Sequence, residues 1–137
     1  MTSFQWNFDS AQPFCGAGID AESPSRFVSA LCEDHPFPFI FTKDEISFAK
    51  GSAEPAFSLC AAFCCKEALF KATGIPYNFT ECELIELPKH KSVSLRLGKE
   101  LREEAGISSA IAHISRTETE PSEVVAVVLT FRADGDK

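Results

Sequence analysis

Three short stretches of this chain carry residue types that do chemistry, and they lie far apart. Gly18-Ile19-Asp20-Ala21-Glu22 places two carboxylates at i and i+2. In extended backbone such residues point to the same side. Paired carboxylates on one face suit a hard divalent cation, above all Mg²⁺, which is held by one or two carboxylates with waters and phosphates. The same spacing also describes an ordinary solvated strand end. Lys66-Glu67-Ala68-Leu69-Phe70-Lys71 sets Glu67 and Lys71 at i and i+4, in the favourable order for a helix. Read alone, that is a surface ion pair. Its flanks, Cys60–Cys65 and Ala68–Phe70, are almost wholly apolar, which is not the setting of a solvated face. Ala112-His113-Ile114-Ser115 puts a histidine in a strand, where it reads as a satisfied core or edge residue or as a catalytic group.

Each stretch needs an element to position it. Cys15–Ala21 reads as a short strand whose glycines allow another backbone or a ligand to come close. Pro24 opens a helical turn, followed by Ser25–Cys32. Phe37–Phe41 is apolar but broken by Pro38, hence an edge strand or irregular. The best helix runs from Pro55 to Thr73. Pro55 suits a first turn, Ser52 or Glu54 could cap it, and Gly74 and Pro76 stop it. Phe57, Ala61, Cys64, Ala68 and Ala72 form a stripe of mostly small apolar residues at helical spacing, so the helix can lie close against a sheet. Asp20 and Glu67 meet only if it does.

Further along, Phe79–Leu87 predicts a strand with imperfect alternation, Pro88–Lys91 a turn, and Ser92–Leu97 a strand with Val93, Leu95 and Leu97 on one face. Gly98–Ala105 reads as a helix ended by Gly106. Ser109–Ser115 is a strand with Ile111, His113 and Ser115 on one face. Val124–Phe131 is a nearly continuous β-branched run, a central strand covered on both faces. The fold class is α+β: an antiparallel sheet with one long helix packed on it.

Composition bounds the function. The 137 residues are one domain's worth, with loose ends at 1–14 and 132–137. Thirteen Lys and Arg against twenty Asp and Glu give a net charge of −7, which disfavours nucleic acid and anionic membrane surfaces. No apolar run approaches the roughly 20 residues of a membrane span. Met1–Ser10 lacks the basic start and apolar stretch of an export signal. Six cysteines without such a signal point to a reducing, cytoplasmic setting and to core packing. No Cys-x-x-Cys pair exists, and His35, His90 and His113 are scattered, which speaks against structural zinc. Thirteen phenylalanines predict either a packed sheet or an oligomer contact.

Taken in order, Gly16–Arg26 (GAGIDAESPSR), Phe41–Ile46 (FTKDEI), Phe63–Gly74 (FCCKEALFKATG) and Ala112–Val128 (AHISRTETEPSEVVAVV) resemble the 4′-phosphopantetheinyl transferases, of the small holo-acyl-carrier-protein synthase type. The resemblance spans about residues 15–131. It implies a Mg²⁺-dependent transfer of the phosphopantetheine arm of coenzyme A to a serine of a carrier protein, releasing adenosine 3′,5′-bisphosphate, as in fatty acid biosynthesis. Carried over, Asp20 and Glu67 hold the metal and Glu22 matches a third acidic position. Lys71 meets the phosphates or helps activate the serine. His113 matches a histidine near the cofactor, and Arg26 and Gly74 fall among the coenzyme A-binding positions. A homotrimer with sites between subunits is implied in the same way. The family's docking helix after the first motif is rich in arginine, whereas here no basic residue follows Arg26 until after Asp34. The competing reading is a non-catalytic module that keeps the fold and binds coenzyme A or a partner. Such a module would be expected to lose one of Asp20, Glu67 and Lys71, and none is lost.

Overall fold

The β-branched run near the C-terminus decides the architecture, because a strand this apolar has to pair on both edges. In the computed structural model, which describes residues 13–33, 37–87 and 92–133, it does so. The elements in chain order are β1 (Phe14–Glu22), α1 (Lys43–Lys50), α2 (Pro55–Thr73), β2 (Cys82–Glu83), β3 (Val93–Ser94), β4 (Arg96–Leu97), α3 (Lys99–Ala105), β5 (Ser109–Arg116) and β6 (Val124–Phe131). An antiparallel sheet has the order β1-β6-β5-β3, and β2 and β4 form a separate ribbon. The α+β architecture with one long helix on an antiparallel sheet is therefore the one observed.

Strand β6 alternates strictly. Val124, Ala126 and Val128 are buried beneath α2, while Val125, Val127 and Leu129 on the other face are only partly covered. The expectation that this strand is covered on both faces does not hold within one chain. Its β-branched content reflects a sheet whose second face is left open, with Ile19 on β1 58% exposed there. Strand β1 begins at Phe14, whose ring meets Phe131 of β6 edge-on, so Phe14 belongs to the sheet and not to an N-terminal extension.

Helix α2 spans the predicted residues. Pro55 starts it, and Gly74, at φ 71°, ends it with its N–H donating to the Phe70 carbonyl. Eleven of its nineteen residues are buried, on all sides, because β1 and β6 cover one side and α1 and the turn at Phe79–Glu81 contribute to the other. Its contact with β1 is made of backbone. A Cβ built on Gly18 would lie 1.9 Å from the Ala68 carbonyl oxygen, and one on Gly16 would lie 2.5 Å from that of Ala72. Glycine on the strand and alanine on the helix are what this approach requires.

Three expectations are corrected. Phe79–Leu87 is not a continuous strand: Phe79–Glu81 is a 3₁₀ turn and only Cys82–Glu83 pairs. Ser92–Leu97 is split between the two sheets, because Leu95 donates its N–H to Ala110 and the chain then leaves to pair Arg96–Leu97 with β2. Val93 and Leu95 do share the buried side. Helix α1 was not foreseen, although Thr42-Lys43-Asp44-Glu45 is a capping box: Thr42 Oγ1 accepts from Glu45 N and the Glu45 carboxylate accepts from Thr42 N. Phe37–Phe41 is irregular, as one of its two readings had it, and Pro24–Phe27 and Ser29–Cys32 are short 3₁₀ turns. The turn at Pro88–Lys91, His35, His90 and residues 1–12 and 134–137 lie outside the described residues.

All six cysteines are unpaired; Cys60, Cys64, Cys65 and Cys82 are buried and Cys15 and Cys32 exposed. The Cys64 thiol is raised by its hydrogen bond with Cys60 and by burial, and burial raises Cys65 and pushes Cys82 up to about 12. The thiolate is the reactive form. A thiol reagent should therefore label Cys15 and Cys32 quickly in the folded protein and the four buried cysteines only after denaturation. Rapid modification of all six under native conditions would contradict this packing.

Candidate active site

In β1, Gly16, Gly18, Asp20 and Glu22 face α2, and the intervening residues face away. The chain directions of β1 and α2 oppose each other here: Gly16 lies against Ala72, Gly18 against Ala68, and the Glu22 carbonyl against the Cys60 thiol at 3.4 Å. Asp20 consequently falls between the levels of Ala68 and Cys60. There Lys71 reaches across from α2. Its Nζ donates to Asp20 Oδ1 at 3.0 Å and to the Ile19 carbonyl at 3.1 Å. The intrahelical pair Glu67–Lys71 does not form; the lysine turns to the strand instead. Glu67 is half-buried one turn back along the same face, and its carboxylate has no hydrogen-bond or ion-pair partner among the described residues.

Glu22 is held by the next turn of chain. It accepts from the Arg26 guanidinium and from the Ser23 N–H. Arg26 also lies over the Phe63 ring of α2, 5.1 Å from its centroid. Arg26, Glu22, Asp20, Lys71 and Glu67 thus share one corner where β1 leaves the sheet alongside α2. Three carboxylates and two cations there leave one formal negative charge.

The donors of this corner suit a hard cation. They are carboxylate oxygens on two elements in contact, and the nearby thiols are turned inward: Cys60 donates to the Glu22 carbonyl and Cys64 to the Val124 carbonyl. With Asp20 and Glu22 each engaged by a cation, no three acidic, histidine or cysteine side chains converge on one point among the described residues. Glu67 is the carboxylate available to an incoming ion.

Two predicted site residues lie elsewhere. His113 pairs with Val127, which also pairs with Ile19, so all three share the open face of the sheet. Asp20, Ala126 and Ile114 share the opposite face. The sheet separates His113 from the acidic corner of its own chain. Gly74 occupies a left-handed helix end and has no atom within 4 Å of an added Cβ, so the backbone turn accounts for it here. Sequence reasoning also missed a group beneath the corner. Lys66 is wholly buried and paired with buried Glu45 at 2.9 Å. The capping box that contains Glu45 was the signal that could have found it.

The comparisons agree with this geometry. The holo-[acyl-carrier-protein] synthase of Moorella thermoacetica is 27% identical over 126 residues, covering 87% of this chain and 98% of that protein. The crystal structure of the Helicobacter pylori holo-[acyl-carrier-protein] synthase in complex with coenzyme A is 25% identical, with a TM-score of 0.64, covering 83% of this chain and 98% of that one. The Plasmodium yoelii holo-ACP-synthase shares the fold at 20% identity, with a TM-score of 0.65 and coverage of 89% and 98%. Residues 16–127 match a single family model, from the glycine face of β1 through α2 to the inner strand β6. The elements that bring Lys71 to Asp20 are all inside that match, and the chain belongs to the 4′-phosphopantetheinyl transferase superfamily.

Proposed function

We propose that this chain transfers the 4′-phosphopantetheine arm of coenzyme A to a serine hydroxyl of an acyl carrier protein. The observation that carries the reading is the contact of Lys71 with Asp20 beside partnerless Glu67, on a fold shared with holo-acyl-carrier-protein synthases. In the reaction a serine oxygen–phosphorus bond forms, the bond to adenosine 3′,5′-bisphosphate breaks, and the serine loses its proton. The residues divide the work. Asp20 and Glu67 would hold Mg²⁺, with Glu22 beside them. That ion supplies neutralisation of pyrophosphate charge when bound. Lys71 brings its ammonium into the same corner, where it stabilises charge on the phosphates or aids the serine hydroxyl. Arg26, 58% exposed beyond Glu22, is placed to meet an anionic part of coenzyme A.

We assign the open face of the sheet to contact between copies, as a homotrimer. Ile19, Val127, Leu129 and Ile111 make it apolar, and a chain this small gains by covering such a face. His113 lies on it, so assembly would put this histidine at a boundary between copies, near a coenzyme A site. Sedimentation reporting a monomer at working concentration would overturn the assembly. A reducing cytoplasm is the proposed setting, supported by six unpaired thiols. Among the described residues no helix is long and apolar enough to cross a membrane.

Mass spectrometry of an apo-carrier protein incubated with this protein, Mg²⁺ and coenzyme A tests the function directly. A gain of the phosphopantetheine mass, absent without Mg²⁺, is expected; an unmodified carrier across a panel would sink the reading. Mg²⁺ and coenzyme A together should raise the melting temperature more than either alone, because each organises the corner for the other. Additive or absent shifts would separate the metal from the substrate site. Carrier association should depend weakly on salt. The 3₁₀ turns after β1 carry Arg26 as their single basic residue and expose Val28 at 57%. A steep fall in association rate with added salt would place a basic docking patch elsewhere.

A further inference from the structure

We propose that the buried pair Lys66–Glu45 is a positioning device that fixes the rotation of α2 about its own axis, and so the placement of Glu67 and Lys71 against β1. The inference rests on the transferase reading of the corner. Lys66 is wholly buried, on the side of α2 turned away from the sheet. Its ammonium donates to the Glu45 carboxylate at 2.9 Å, to the Phe79 carbonyl at 2.7 Å and to the Cys82 carbonyl. Glu45 also accepts from Leu84 N at 2.9 Å and from Thr42 N at 3.1 Å. The Lys66 carbonyl accepts from the Tyr77 hydroxyl at 2.9 Å. The residue next to Glu67 is thus gripped through its side chain by α1 and by the chain that leads into β2, and through its backbone by Tyr77.

Stability alone does not require such a pair. Removing two charges from water costs several kcal/mol per ion, and an apolar pair of the same volume is often as stable or more so. Burial raises the Glu45 carboxyl, the sign of that cost, although Lys66 opposes it. Yet no buried side-chain polar atom lacks a partner among the described residues.

What the pair adds is direction. Helix α2 is apolar nearly all round, so burial of a hydrophobic stripe cannot by itself choose its rotation. Small residues on the sheet side permit close approach but offer no interlocking shape. A single buried ionic group can be satisfied in one orientation only, as a buried polar residue fixes register in a coiled coil. The consequence for the site is large. At a helix radius of about 5–6 Å, a rotation of roughly 20° moves a surface side chain by about 2 Å. A displacement of that order removes a carboxylate and an ammonium from a productive geometry.

The double variant Glu45→Leu/Lys66→Met tests this, with wild-type transfer as the control. If the wild type does not modify the carrier, the transferase reading fails, whatever the double variant does. Given wild-type activity, the double variant should melt cooperatively at or above the wild-type temperature. Its kcat should fall by about a hundredfold. The melting shift produced by Mg²⁺ with coenzyme A should shrink, while KM for the carrier is unchanged. A purely structural pair predicts the reverse: altered melting with kcat and the ligand-induced shift intact, and that result would overturn the proposal. Should the double variant not fold, Tyr77→Phe removes only the hydroxyl on the Lys66 carbonyl. It should lower kcat about fivefold at unchanged carrier KM, the worth of one hydrogen bond. Wild-type kcat in Tyr77→Phe would then overturn it.

Discussion

Glu67→Ala is expected to lower transfer by about a hundred- to a thousandfold or more, the loss seen when a preorganised electrostatic group is removed. Its stability should stay within about 0.5 kcal/mol of wild type, the range of a surface change that breaks no contact. The two expectations follow from one observation: the Glu67 carboxylate makes no hydrogen bond or ion pair among the described residues. It does no structural work that its removal could undo. An intrahelical ion pair with Lys71 would instead have lost about 0.3–0.5 kcal/mol with activity retained. That pair does not form, because Lys71 turns to Asp20 at 3.0 Å. Lys71→Ala should slow transfer and spare Mg²⁺ binding, since it removes a cation and no metal ligand. Transfer rates, Mg²⁺ affinity in the presence of coenzyme A and melting curves check both variants. Near-normal transfer by Glu67→Ala would end the assignment of these residues to a metal-dependent site.

Gly18→Ala is expected to have the largest effect of a single methyl group anywhere in the described fold. The added carbon would sit 1.9 Å from the Ala68 carbonyl oxygen and 2.8 Å from Ala72 N, both backbone atoms. No rotamer can relieve that clash. The helix must move off the strand, and overpacking of this kind costs roughly 2–4 kcal/mol. Because Asp20 is two residues along the same strand face, the shift also separates it from Lys71 and transfer should collapse. Gly16→Ala, with its closest approach at 2.5 Å, should follow the same pattern more weakly. Denaturant midpoints and transfer rates for the two variants give the test; Gly18→Ala at wild-type stability would mean that β1 and α2 are not in contact as described.

The sequence made α2 legible because its start and stop are local: Pro55, then Gly74 and Pro76. It made the acidic corner legible through Asp20, Glu22, Glu67 and Lys71, whose types and order carry the chemistry. Other features depend on contacts that no local pattern encodes. The cleanly alternating Ser92–Leu97 gave no sign that its two halves would pair with different partners. The alternation of Cys82–Leu87 was too irregular to show that most of it would lie outside a ladder. Lys66 read as one charge of a surface group, and only the fold shows that Glu45, 21 positions earlier, waits for it in the interior. The face of His113 was read correctly along β5, but its relation to Asp20 depends on β6 lying between them.

The meeting of Gly16 and Gly18 with Ala68 and Ala72 is main chain against main chain. A contact of this kind has no torsions to settle and no side-chain freedom to lose, so it is stiff where an ordinary core is adjustable. Neighbouring side chains can repack around it without passing their displacements to Asp20 or Lys71. The spacing of the two charges is thereby set by backbone dimensions, which are the same in every chain, and is insulated from drift in the rest of the core.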